Sequence, residues 1–407
     1  MNSGAAISQA DWQLLLSRNQ SKAAELFGRP EAEQRRMGYF DTLHEICQQP
    51  WTWLRTCALM VESSESLQQI LKEARSITLT GSGSSQYAAE CVQFMLRDSV
   101  GLPITSAGGG DLLMYGGKAL PAERPGLMIS LARSGDSPES RGAIELLLET
   151  EPKIHHLVLT CNENGSLTKP WRNPERVHVV TLPRETNDQS LVMTSSFTNL
   201  LLAARFVGML DKLDAYQQLC TKLSDLAKDV ITTNFDALAN FAGTSCERAV
   251  FLGSGSQFAA AREGALKMLE MTAGRVTTMS ETYLGFRHGP ISYVQDKTLV
   301  ICFLSSDSML RAYELDLLQE LDRKNLGLAK LLVGDKIPQR AVREQDLAIE
   351  CAGLAEMGDE DAATMDVVVA QLLGFFRCLK KGLRPDSPSQ DGVIQRVVQR
   401  FPLHTPS

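Results

Sequence analysis

The sequence has no excess of positive charge: 41 Lys and Arg stand against 48 Asp and Glu, a formal net charge of −7. A nucleic-acid binder normally carries a basic footprint, so that class is set aside. Nine cysteines (47, 57, 91, 161, 220, 246, 302, 351 and 378) are scattered, with no CxxC spacing and an odd total. This argues against a disulfide scaffold and against a structural zinc site. Thiols in apolar surroundings, such as Cys302 in LVICFL, are expected to be buried and free in a reducing cytosol. No apolar run reaches the roughly 18 residues of a membrane span. The opening residues, MNSGAAISQADWQLLL, also lack the basic and apolar regions of a signal peptide. A soluble cytoplasmic protein without nucleic-acid or membrane partners is expected.

What is present is an ordinary globular composition, 43% hydrophobic and 22% charged. Its 407 residues suffice for two or three domains of about 100–200 residues each. The first fifty residues read as polar, amphipathic helix. From Ser76-Ile77-Thr78-Leu79-Thr80 onward, β-branched strands alternate with helices, which implies a parallel sheet covered on both faces. Strands are expected at 76–80, 103–106, 126–131, 156–160 and 177–182, with helices at 84–96, 137–149 and 193–211. The stretch 213–245 reads as a long helical connector, after which the pattern restarts. Strands then fall at 248–252, 298–304 and 328–333, and helices at 257–273, 307–323 and 362–380. The restart is a repeat: TLTGSGS (78–84) matches VFLGSGS (250–256), and Leu127-Met128-Ile129-Ser130 matches Leu299-Val300-Ile301-Cys302 at the same offset. The expected organisation is a helical extension over 1–55, an α/β domain over 56–212, the connector over 213–245, a second α/β domain over 246–385 and a tail over 386–407.

Two loops of the first domain suit a phosphate. Gly81-Ser82-Gly83-Ser84-Ser85 follows a strand and opens a helix, where backbone amides and the helix dipole favour an anion. Ala132 to Glu139 does the same one strand away, with Ser134 and Ser137 as further donors and Pro138 suited to the first helical turn. Asp136 would repel a dianion and is expected to face away. A P-loop would need Gly-Lys-Ser/Thr and a dinucleotide fingerprint a third glycine; Gln86 stands there instead. The second domain keeps the first loop but replaces the other by Leu304-Ser305-Ser306-Asp307-Ser308, so it is expected to supply catalytic groups rather than bind phosphate. There, Glu263, Lys267 and Glu270 share one face of a helix, and His288 follows in a loop before Gly289-Pro290. Carboxylates, an ammonium and an imidazole near a phosphate loop can move protons on a phosphorylated sugar.

These segments carry a resemblance. The paired loops resemble SIS (sugar isomerase) domains, and the two halves resemble the isomerase half of glutamine–fructose-6-phosphate aminotransferase. EGALKMLE (263–270), FRHGP (286–290) and EICQQP (45–50) are similar to that enzyme's motifs. RSGDSPES (133–140), TCNENG (160–165), MTSSFT (193–198), GFRHGP (285–290) and PDSPS (385–389) look like the AgaS type of galactosamine-6-phosphate deaminase, also described as tagatose-6-phosphate ketose/aldose isomerase. The resemblance implies an α/β fold of two tandem doubly wound, flavodoxin-like SIS domains with an N-terminal helical segment. It also implies an enzyme converting galactosamine 6-phosphate to tagatose 6-phosphate and ammonia. Simple isomerisation of a hexose 6-phosphate and non-catalytic sugar-phosphate sensing are the alternatives.

By the same resemblance, Glu270 is the base, Lys267 its charged neighbour or the stabiliser of the enediolate, and Glu263 an orienting group. His288 assists ring opening, reaching a neighbouring subunit of a homo-oligomer whose sites lie at the interface. Ser84, Ser85, Arg133, Ser134 and Ser137 hold the sugar 6-phosphate. Thr194 and Ser195 add contacts, although an N-cap role accounts for them equally. Arg396 stands roughly where the aminotransferase tail has a site-closing lysine, and arginine cannot replace lysine as an imine-forming amine. The chemistry calls for no metal or nicotinamide. With no cysteine before Cys47, a glutamine-hydrolysing domain is not expected.

Overall fold

The computed structural model describes residues 7–404. The first six residues of the expected extension and the last three of the tail lie outside that range. Five helices come first: α1 (Gln9–Asn19), α2 (Ser21–Phe27), α3 (Glu31–Met37), α4 (Phe40–Glu62) and α5 (Ser64–Lys72). The first α/β unit comprises β1 (Ser76–Gly81), α6 (Ser84–Val100), β2 (Ile104–Gly108), α7 (Gly109–Tyr115), β3 (Gly126–Ala132), α8 (Pro138–Thr150), β4 (Ile154–Thr160), β5 (Val177–Thr181) and α9 (Ser195–Arg205). Helix α10 (Leu213–Ala242) leads to β6 (Arg248–Gly253), α11 (Ser256–Met271), β7 (Thr277–Thr282), α12 (Tyr283–Phe286), β8 (Thr298–Phe303), α13 (Ser308–Arg323), β9 (Ala329–Gly334), β10 (Leu347–Glu350) and α14 (Asp359–Lys380).

The strands form two five-stranded parallel sheets, ordered β2-β1-β3-β4-β5 and β10-β9-β8-β6-β7. Read from its other edge, the second order repeats the first. Register repeats too: Ile77 lies opposite Leu127 in one sheet, and Ala249 opposite Leu299 in the other. The central strands β1, β3, β8 and β9 are buried along their whole length, as expected of strands covered on both faces. In both sheets the order reverses beside the first strand, the place where open α/β sheets bind ligands at their carboxyl ends.

A continuous core joins the halves. Helix α11 packs against both α14 and α6, so side chains on α11 lie next to the start of the first unit's leading helix. Helix α14 is apolar and long enough to cross a membrane by composition, but almost all of it is buried inside this fold. All nine cysteines are buried and free. Two strands were not expected, both at sheet edges: β7, TTMSET, has one apolar residue in six, and β10, LAIE, is only four residues long, so neither carries a clear alternation or apolar run.

Candidate active site

Strand β1 ends at Gly81, where a Cβ would come within 2.4 Å of the Ser85 backbone. The chain then turns through Gly83 at φ +58°, a left-handed conformation that side chains disfavour. This tight turn starts α6 at Ser84 and Ser85, both buried. One strand over, Ser137 precedes Pro138 at the first turn of α8. The Ser134 hydroxyl accepts the Asp136 amide at 3.2 Å, and the Ser134 carbonyl accepts Asn162 Nδ2 at 2.8 Å. Asp136 itself turns outward and accepts the Ser166 amide at 2.8 Å.

Ser84, Ser85, Arg133, Ser134, Ser137, Lys267, Glu270 and Arg396 line one cavity of about 180 Å³. Two loops of the first unit thus face one helix of the second. Lys267 donates to Ser84 Oγ at 3.0 Å and bonds directly to Glu270. Its ammonium also lies 3.3 Å from Glu263 Oε1. Exposure falls along this face, from 23% at Glu270 to 1% at Lys267 and 0% at Glu263. Burial works against the charge on Lys267, but Glu263 and Glu270 outweigh it and the ammonium is favoured. Burial pushes Glu263 up to about 7, with Lys267 pulling the other way. Of these two glutamates, Glu270 lines the cavity and Glu263 does not, so Glu263 acts on the site through Lys267.

The arginines are anchored by backbone. Arg133 Nη1 donates to the Leu191 carbonyl at 2.9 Å, and its Nη2 bonds to the Arg396 carbonyl. Arg396 Nε donates to the Asp188 carbonyl at 2.7 Å and Nη2 to Asn187 Oδ1 at 2.6 Å. The loop 187–193 therefore positions both guanidinium groups. It is held from α4 by Glu45, which accepts the Ser190 amide at 3.2 Å and bonds the Gln189 amide and the Ser190 hydroxyl. Burial, reinforced by Asp188, raises Glu45 to about 8.

Thr194 and Ser195 do not reach the cavity. Both are fully buried, and the Asp188 carboxylate accepts their hydroxyls and the amides of residues 194–196. A side-chain cap at the start of α9 thus uses the donors expected to meet a sugar phosphate. His288 is exposed in the loop after α12 and does not line the cavity of its own chain. In the second unit, carboxylates stand on the equivalent donors. Ser254 Oγ and the Ser305 amide donate to Glu314 at 2.9 and 2.8 Å, and the Ser306 amide and hydroxyl each donate to Asp359 at 2.6 Å. Sequence reasoning missed Asp188, Glu139 and Gln395. Of these, only Glu139 lies inside a segment it had singled out, where the serines drew the attention.

The SIS domain family matches residues 244–375. A Streptomyces coelicolor relative is 36% identical over 373 residues, covering 89% of this chain and 95% of its own length. The Escherichia coli protein named D-galactosamine-6-phosphate deaminase AgaS is 34% identical over 369 residues, covering 89% and 95%. A crystal structure of tagatose-6-phosphate ketose/aldose isomerase from Escherichia coli superposes with a TM-score of 0.80 at 32% identity, covering 87% of this chain and 95% of that one.

Proposed function

This chain belongs to the AgaS family of SIS-domain proteins, and from that membership and the cavity we propose that it converts D-galactosamine 6-phosphate to D-tagatose 6-phosphate and ammonia. The observation that carries the reading is the Lys267–Glu270 pair opening onto a cavity whose far wall is two serine-bearing helix starts. The 6-phosphate is held by Ser84, Ser85, Ser134 and Ser137, with Arg133 and Arg396 balancing its charge. After ring opening, Glu270 takes the C2 proton and returns it at C1. Lys267 pairs with Glu270 and steadies the oxygen that gains negative charge. The resulting C2 ketimine is hydrolysed, giving the ketose and ammonia. Residues 56–212 act as the phosphate-binding domain, residues 246–385 supply the base, and the tail from 386 closes the site through Arg396. His288 serves ring opening in a neighbouring subunit of a cytoplasmic homo-oligomer.

The test is ammonia release from galactosamine 6-phosphate, with glucosamine 6-phosphate and tagatose 6-phosphate as controls. Ammonia from the galacto substrate is expected. No ammonia with either amino sugar phosphate overturns the deaminase reading: turnover of tagatose 6-phosphate alone would then mark an isomerase, and binding without turnover a sensor.

A further inference from the structure

The segment TCNENG (160–165) ends β4 and does not line the sugar-phosphate cavity. It lies instead behind the loop that does. Asn162 Nδ2 donates to the Ser134 carbonyl at 2.8 Å. One residue on, the Gly135 carbonyl accepts the Leu167 amide at 3.2 Å and bonds the Ser166 hydroxyl. Two successive carbonyls of the β3–α8 loop are therefore held from outside by residues 162–167.

A trans peptide is planar and points its N–H opposite to its carbonyl. Holding the Ser134 and Gly135 carbonyls on one side therefore aims the amides of Gly135 and Asp136 to the other, where Ser134 and Gly135 line the cavity. The Asp136 amide donates there, to Ser134 Oγ at 3.2 Å. A hydroxyl that accepts this bond keeps its own proton for a ligand. Gly135, at φ +66°, makes the left-handed turn that sets two successive N–H groups side by side, an arrangement that binds anions. Two features make the support specific. Asn162 Oδ1 accepts the Asn164 amide at 3.1 Å, so Nδ2 is the end turned to the loop. Gly165 crosses the same carbonyl so closely that a Cβ would meet the Ser134 oxygen at 2.4 Å. Its φ of −68° is open to other residues, so closeness rather than backbone freedom calls for glycine.

We propose that Asn162 is a positioning residue for the 6-phosphate. It draws the Ser134 carbonyl outward and so turns the Gly135 amide and the Ser134 hydroxyl toward the phosphate, while Gly165 leaves room for that carbonyl. The proposal rests on the reading of the serine loops as the phosphate site. The contacts that carry it all lie within one chain, so none depends on what a neighbouring subunit adds to the cavity. Asn162 acts on binding rather than on proton transfer, because its hydrogen bonds reach neither Glu270 nor Lys267.

The test uses the full-length protein and two readouts. One is steady-state turnover of galactosamine 6-phosphate. The other is the dissociation constant of inorganic phosphate, taken from the rise in thermal midpoint over chloride at equal ionic strength. In Asn162→Ala, KM and the phosphate constant are expected to rise together about tenfold, the worth of one hydrogen bond to a charged group, with kcat within about twofold. Unchanged constants overturn the proposal. So does a fall in kcat without a rise in either constant, which marks a merely structural residue. Should Asn162→Ala not fold, Gly165→Ala decides, because its methyl displaces the same carbonyl. The same tenfold rise is expected there, and an unchanged phosphate constant overturns the proposal. In a protein that releases no ammonia, the deaminase reading fails and the phosphate constant, read without turnover, still decides on Asn162. An active deaminase whose phosphate constant ignores Asn162 removes the proposal alone.

Discussion

Glu270 and Lys267 form an ion pair at the edge of a buried core, and the asymmetry of its exposure decides what each can do. An ammonium at 1% exposure is sustained only by its partners. Its carboxylate neighbour, exposed at 23%, opens onto the cavity. Glu270→Gln keeps a hydrogen-bond acceptor for Lys267 but removes the basic oxygen. Turnover is expected to fall by about 10²–10⁴, the usual worth of a positioned base. Binding of the sugar phosphate, measured by calorimetry, should survive because the serines and arginines are untouched. Retained turnover would take the base role away from Glu270. Lys267→Met tests the other partner. It leaves Glu263 buried without its counter-charge, and breaking a buried pair in this way costs about 3–5 kcal/mol. A matching drop in the denaturation midpoint is expected along with loss of activity, and undiminished stability would contradict the pairing.

At the scale of elements, α4 acts on the site from a distance through Glu45 and the loop 187–193. Glu45 is protonated in the folded chain up to about pH 8, whereas its ordinary value is 4.5. Between these values the folded state binds more protons than the unfolded one, so the stability this group contributes is complete below 4.5 and is lost as pH rises toward 8. Glu263 and Glu314, both raised to about 7 by burial, act in the same direction. The thermal midpoint is therefore expected to decline from pH 5 to pH 8, with a shallower decline in Glu45→Gln. Identical slopes in the two proteins would remove Glu45 from this account. The loop it holds also shows where sequence reasoning stops. The serine turns are legible because a strand, a glycine and a helix start follow each other locally. The Asp188 cap is not, since Thr194 and Ser195 look like donors for a ligand until the fold lays an acid over them. Strand β7 is hidden for a related reason, because an edge position asks for no apolar pattern.

For the whole molecule, the two sheets share one order and one register, yet their glycine turns have parted in role. The first faces a cavity, whereas Glu314 and Asp359 occupy the corresponding donors of the second. That division leaves His288 outside the cavity its own chain forms. Helices α12 and α13, which pack together, expose Leu284, Met309, Leu310 and Tyr313. An apolar face of this kind suits contact with another subunit. If His288 serves a neighbour, the two defective chains His288→Ala and Glu270→Gln should complement each other. In a two-fold dimer carrying one of each, one site receives both substitutions and the other receives none. Co-expressed in equal amounts, half of the dimers are hybrids with one intact site, so about a quarter of the full activity should return. Each variant alone should stay near its own low level. No recovery in dimers shown to be hybrid would mean that His288 works within its own chain or not at all. Recovery would make the assembly, rather than the single chain, the unit that completes the site.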